Sequence, residues 1–126
     1  MTQGRFIWNE LLTRDVEGAK AFYSAIVGWT YEGTPMAEGG TYWVAHAEGN
    51  PAGGIMAMPP GMPDHVPPHW FEYLEVNDVD ACLATIVRHG GRILRPPFDV
   101  PAVGRLGIAT DCTGAAFGLM TPLPKG

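Results

Sequence analysis

Glu10, Tyr73 and Glu75 are the side chains whose types and spacing suit acid–base chemistry. They lie in two short alternating segments, Phe6–Thr13 and Trp70–Val76. Side chains two apart on a strand point to one face. Trp8, Glu10 and Leu12 therefore share a face, and so do Phe71, Tyr73 and Glu75. A carboxylate set among aromatic rings is costly to ionise unless paired, and its proton affinity rises. Such a group suits a general acid or base near neutral pH. Glu10 reads as a base or hydrogen-bond anchor with Tyr73 as its partner. The structural alternative is that Glu10 satisfies buried backbone or linker groups, and both readings stand. Glu75 is a ligand-lining candidate on the same face, against a solvated place at its strand's end.

These segments are two copies of one pattern. Residues 6–31 and 69–94 match at an offset of 63 positions: Asp15 with Asp78, Val16 with Val79, Ala21 with Ala84, Gly28 with Gly91. The same offset sets Trp8 against Phe71, Glu10 against Tyr73, and Leu12 against Glu75. The identities fall on the start, body and end of a strand-then-helix unit. Two such units can pair about a pseudo-twofold axis and enclose a cleft between their sheets.

The flanking elements follow from local chemistry. Asp15 and Asp78 are helix N-caps, since their carboxylates can accept the free N–H groups of the first turn. The first helix carries Val16, Ala19, Tyr23, Ile26 and Val27 at helical spacing, and Gly28 is placed to end it in a left-handed conformation. The second carries Val79, Cys82, Leu83, Ile86 and Val87, with Arg88 and His89 at its negative end. Short strands are expected near 30–33, 41–48 and 53–58, and again near 92–94, 106–110 and 115–120. Asp111-Cys112-Thr113-Gly114 is a hairpin turn. Residues 59–68 hold five prolines and read as a stiff linker.

Composition narrows the function classes. Hydrophobic residues are 46% and charged residues 17% of 126, which fits a globular domain. Net charge is −5 and the eight Lys and Arg are scattered, which argues against a nucleic-acid partner. No apolar run is long enough to span a membrane, and the first residues lack the pattern of a signal peptide, so a cytoplasmic location is expected. Cys82 and Cys112 have no metal-site spacing. His65 and His69 are four apart in the proline-rich segment, not on a helix, so helical metal-pair spacing does not apply. A rearranged metal site using His46 or His69 with Glu10 is the metal-dependent alternative.

The order strand, helix, three strands, repeated, resembles the vicinal oxygen chelate superfamily, which includes glyoxalase I, bleomycin-resistance proteins and extradiol dioxygenases. The resemblance rests on Thr13-Arg14-Asp15-Val16 and Val76-Asn77-Asp78-Val79, on Ala21-Phe22-Tyr23 with Gly28-Trp29, and on Asp111-Cys112-Thr113-Gly114. Within that superfamily, Trp8-Asn9-Glu10-Leu11 and Val103-Gly104-Arg105 look like the small lactoylglutathione-lyase-related proteins. The resemblance implies an α+β fold: two βαβββ modules forming one cupped mixed β-sheet with helices on the outside. It also implies dimers and a divalent metal held by four sheet positions. Those positions fall at Trp8, Ile55 or Met56, Phe71 and Gly118, none of which offers the family's His or Glu. A Met thioether is a poor ligand for the metals concerned. No metal and no cofactor are therefore expected.

The resulting expectation is a single domain, with module one about 5–58, the linker 59–68 and module two 69–122. Trp8 and Phe71 floor a cleft suited to flat or apolar small molecules, Met56 lines its wall, and Gly118 leaves room above the floor. The chain would bind a small organic molecule, with metal-independent acid–base catalysis through Glu10 and Tyr73. The alternatives are a non-catalytic, drug-sequestering binding protein and a metal lyase or dioxygenase with displaced ligands. The partners expected are a small-molecule ligand and a second copy in a homodimer, with neither nucleic acid nor membrane.

Overall fold

The computed structural model describes residues 3–36, 39–59, 62–101 and 103–123. The chain divides into two compact units, Trp8–Phe71 and Met1–Ile7 with Glu72–Gly126. Each is organised around one βαβββ module, as the repeat implies.

The first module comprises β1 (Phe6–Thr13), α1 (Val16–Val27), β2 (Thr30–Pro35), β3 (Thr41–Ala47) and β4 (Asn50–Ala57). Its strands lie in the order β2-β3-β4-β1, with β1 parallel to β4 and the other pairs antiparallel. Asp15 caps α1, its Oδ1 accepting from the Gly18 N–H at 2.9 Å. Gly28 ends it at φ 75°, its N–H donating to the Ser24 carbonyl. A side chain there would be strained, which is why glycine occupies the position.

The packing of α1 departs from its periodicity. Val16, Ala19 and Tyr23 are half-buried, but Ile26 and Val27 are 56% and 58% exposed, and Phe22 is exposed beside them. Aromatic and cationic contacts fasten this helix instead. The Lys20 ammonium sits 3.2 Å from the centre of the Trp43 ring, a cation–π contact. Tyr23 stacks on Trp29 and accepts a hydrogen bond from the Trp70 indole at 3.1 Å. Arg14, just past β1, donates to the carbonyls of Val66 and Pro63 at 2.8 and 3.0 Å and so ties down the proline-rich segment.

The second module comprises β5 (His69–Glu75), α2 (Val79–Arg88), β6 (Arg92–Val100), β7 (Gly104–Thr110) and β8 (Ala116–Pro122), with strand order β5-β8-β7-β6. Its helix packs conventionally. Val79 and Leu83 are buried with Val76, Ala109 and Leu119. Gly107 lets them lie close, since a Cβ there would come within 3.0–3.1 Å of both side chains. Asp78 caps α2 through the Ala81 N–H at 3.1 Å. The Asp111 turn forms as expected, with Oδ1 accepting from Thr113 N, Thr113 Oγ1 and Ala115 N.

One strand is longer than its sequence implies. β6 does not stop at Leu94 but runs to Val100, through Pro96 and Pro97. It is the outermost strand in its module's order, and Pro96 and Pro97 fall in the irregular stretch between Arg95 and Phe98 where pairing with β7 is interrupted, so neither missing N–H breaks a regular ladder. Its pairing with β7 shifts register on both sides of Arg95.

Candidate functional site

Strand register fixes which side chains share the face of the first module opposite α1. Glu10 pairs with Gly54, Leu11 with Ile55 and Leu12 with Met56. Across the next ladder Val44 pairs with Gly54, and Trp43 with Ile55. Trp43 carries the Lys20 contact and so lies on the helix side. Trp8, Glu10, Leu12, Tyr42, Val44 and Met56 therefore occupy the other side. This resolves the choice between Ile55 and Met56: Met56 shares the face of Glu10.

The polar centre of that face is a three-residue chain. The Trp8 indole N–H donates to the Tyr42 hydroxyl at 2.7 Å, and Tyr42 is hydrogen-bonded in turn to Glu10. Glu10 and Tyr42 have no exposed surface. Burial, reinforced by the charge of Glu10, holds the Tyr42 phenol well above its ordinary ionisation range. Tyr42 is thus a neutral phenol at any physiological pH.

Gly54 makes the chain possible. A Cβ at that position would overlap the hydroxyl and ring of Tyr42, so the ring reaches diagonally across bare backbone to meet Trp8 and Glu10. The second module repeats the device: Tyr73, fully buried, pairs with Gly118, and a Cβ on Gly118 would overlap the Tyr73 ring. The equivalence is therefore Glu10 with Tyr73 on the first strands and Gly54 with Gly118 on the last.

The remaining candidates divide by unit. Phe71 and Met56 are buried in the same unit as Trp8 and Glu10, with the His69 ring edge-on to Phe71. Tyr73, Glu75 and Gly118 belong to the other. Glu75 is half-buried, and its backbone exchanges hydrogen bonds with Arg5 O at 2.7 Å and Gly4 N at 2.8 Å. His69 faces the Pro67 carbonyl through Nδ1 at 2.8 Å. His46, whose register the sequence left open, pairs with Thr30 and Pro51 beside a bulge, and alternation puts it on the Tyr42 side. Arg105 forks to Asp80 at 2.7 and 3.0 Å and bonds Asp99 at 2.9 Å.

Sequence reasoning missed two residues here. Tyr42 reads from sequence as one of several possible core aromatics, and Gly54 as a turn or bulge glycine. The spacing of Gly54 and Gly118, one more than the 63 of the first strands, is the signal that would have found the second.

The family's metal does not fit this donor set. Trp8, Met56, Phe71 and Gly118 offer an indole, a thioether, a phenyl ring and no side chain. Among the described residues no three His, Cys, Asp or Glu side chains come together.

Comparison with known proteins agrees with the architecture. "Putative glyoxylase CFP32" of Mycobacterium bovis is 42% identical over 118 residues, covering 93% of this chain and 45% of its own. The anthracycline biosynthesis protein DauV of Streptomyces sp. strain C5 is 28% identical over 121 residues, 87% of this chain and 44% of its own. The chain thus spans less than half the length of these curated relatives. Among solved structures, methylmalonyl-CoA epimerase from Mycobacterium tuberculosis superposes with a TM-score of 0.66 at 19% identity, over 96% of this chain and 89% of the other. That likeness shows the paired βαβββ fold. The model of the Glyoxalase/Bleomycin resistance protein/Dioxygenase superfamily matches residues 5–119, and the chain belongs to that superfamily.

Proposed function

We propose that the chain binds a small, flat organic molecule against the face bearing Trp8 and Met56, with Phe71 as a further lining residue, and that Glu10 accepts a proton from it without a metal. The observation that carries this reading is the buried chain Trp8–Tyr42–Glu10. A polar chain in a dry, aromatic setting is costly to keep unless every group is bonded, and its carboxylate acts in a medium where proton transfer is not levelled by water. Glu10 has no exposed surface, so side chains over it must move to admit the ligand. The relative named for anthracycline biosynthesis supports an aromatic ligand, and the relative named as a glyoxylase supports chemistry next to a carbonyl.

The test needs no knowledge of the natural substrate. Aromatic ketones are incubated with protein in D2O, and exchange of the hydrogens next to the carbonyl is followed by NMR. Catalysed exchange is expected, falling by about 10²–10⁴-fold in Glu10→Gln. Equal exchange by native protein and Glu10→Gln sinks the catalytic reading. Tyr73→Phe tests the partner expected from sequence in the same assay.

The second reading is a non-catalytic binding protein. Affinity would then follow Trp8 and Phe71, survive Glu10→Gln, and come with no exchange. A homodimer belongs to either reading, supported by the exposed Phe22, Ile26 and Val27 on α1, and a cytoplasmic location goes with both. Sedimentation velocity reporting a monomer at micromolar concentration removes the dimer. Among the described residues no helix is long and apolar enough to cross a membrane.

A further inference from the structure

We propose that Trp8 is a positioning residue that sets the polarity of the chain, so that Tyr42 always donates to Glu10 and never accepts from it. This rests on the reading of Glu10 as the proton acceptor and adds what keeps it one.

Donors and lone pairs decide the polarity. An indole N–H can only donate, whereas a phenol has one proton and two lone pairs. The Trp8 N–H lies 2.7 Å from the Tyr42 oxygen and occupies one of those lone pairs. The hydroxyl proton cannot point at Trp8, so it is directed to its other partner, Glu10. A hydroxyl is ordinarily a rotor that turns to suit its neighbours; here a donor fixes one side and Gly54 fixes the ring. Gly54 holds the geometry because only its missing Cβ allows the Tyr42 ring to lie where it does.

Polarity has a chemical consequence. A phenol that is itself accepting a hydrogen bond is a stronger donor. A donor bonded to a carboxylate favours its charged form. Trp8, expected from sequence only to line the pocket, thereby tunes Glu10 through Tyr42. A hydroxyl pointing the other way would favour a protonated Glu10, unable to take a proton from a ligand.

The test uses ligand-free protein, so it succeeds or fails independently of binding and turnover. Glutamate labelled with ¹³C at the carboxyl carbon reports the pH at which Glu10 protonates. The midpoint is expected to rise in Tyr42→Phe and, by less, in Trp8→Phe. In the double variant Trp8→Phe is expected to add nothing, because its path runs through the hydroxyl. A midpoint unmoved by Trp8→Phe overturns the proposal. So does an equal movement with and without the Tyr42 hydroxyl, which would make Trp8 a packing residue. Should Trp8→Phe fail to fold, the native Trp8 indole proton is read by ¹H–¹⁵N NMR. It is expected downfield and slow to exchange, shifting upfield in Tyr42→Phe; an indole proton unaffected by Tyr42→Phe overturns the proposal equally.

Discussion

Replacing Gly54 with Ala should damage this protein far more than its single methyl group suggests. In an ordinary strand the change would help, because glycine in a strand interior is destabilising by about 0.5–1 kcal/mol relative to alanine. Here the added Cβ would overlap the Tyr42 hydroxyl and ring. Neither side can yield cheaply. Gly54 lies on a strand between β1 and β3, opposite Glu10 and Val44, and Tyr42, Ile55 and Glu10 around it are fully buried. Overpacking of this kind costs about 1–3 kcal/mol. Displacing the hydroxyl also leaves the Trp8 N–H and a Glu10 oxygen short of a buried partner, about 1–3 kcal/mol more. A net loss of about 3 kcal/mol follows, or a fall in Tm of roughly 10 °C for a domain of this size. Urea and thermal denaturation measure it. The control is a cycle with Tyr42→Val, in which the ring is gone and Gly54→Ala should be neutral or stabilising. The coupling between the sites should then reach about 3 kcal/mol. A Gly54→Ala protein as stable as the native one would refute the cradle argument. So would a loss of the same size when Gly54→Ala is made on top of Tyr42→Val.

Two further outcomes follow from side chains away from the chain of Trp8, Tyr42 and Glu10. Arg105 holds the Asp80 carboxyl below its ordinary value of 3.8, chiefly through their hydrogen bonds. A lowered carboxyl adds stability above its unfolded value and loses it as pH falls through the folded value. Arg105→Gln should therefore lower the urea midpoint slightly at pH 6, less so in high salt, with the difference closing as pH drops below 3.8; a difference that grows with acid contradicts the assignment. The Cys82 thiol is pushed up, first by burial and then by the charge of Asp78, whereas Cys112 is exposed. Iodoacetamide at pH 8 should modify Cys112 well before Cys82, read by peptide mass spectrometry, and equal rates would show that α2 opens readily.

What the sequence revealed was what is local. Asp15, Asp78, Gly28 and the Asp111 turn act within four residues of themselves, and each does what its type implies. Pro96 and Pro97 mislead because their cost depends on an edge position and on an interruption of the pairing with β7, which local chemistry does not state. Ile26 and Val27 have helical spacing, but spacing cannot say how much sheet lies beneath the last turn. Tyr42 is the harder case. Its bond to Glu10 depends on the register of β3 against β4 and of β4 against β1, with a bulge between Ala45 and His46. A shift of one residue would turn Tyr42 to the helix side. Gly54 is hidden by a smaller mismatch, since the last strands of the two modules are offset by one more residue than the first.

The boundary between the compact units cuts two strands, and this bears on how the chain reaches its native state. Trp8–Phe71 is continuous, so its contacts need no other part of the chain to close. The other unit is assembled from two pieces, Met1–Ile7 and Glu72–Gly126. They are joined by bonds such as Gly4 N to Glu75 O at 2.8 Å and Asn77 N to the Gln3 side chain at 3.0 Å. Those contacts must close a loop that contains the whole of the first unit, an entropic cost that a prior collapse of that unit shortens. During synthesis the first piece has no partner until the second emerges. Closing that loop is cheaper once Trp8–Phe71 has collapsed, so pulse-labelled hydrogen exchange is expected to protect the unit holding Glu10 and Tyr42 before the other; simultaneous protection refutes this order.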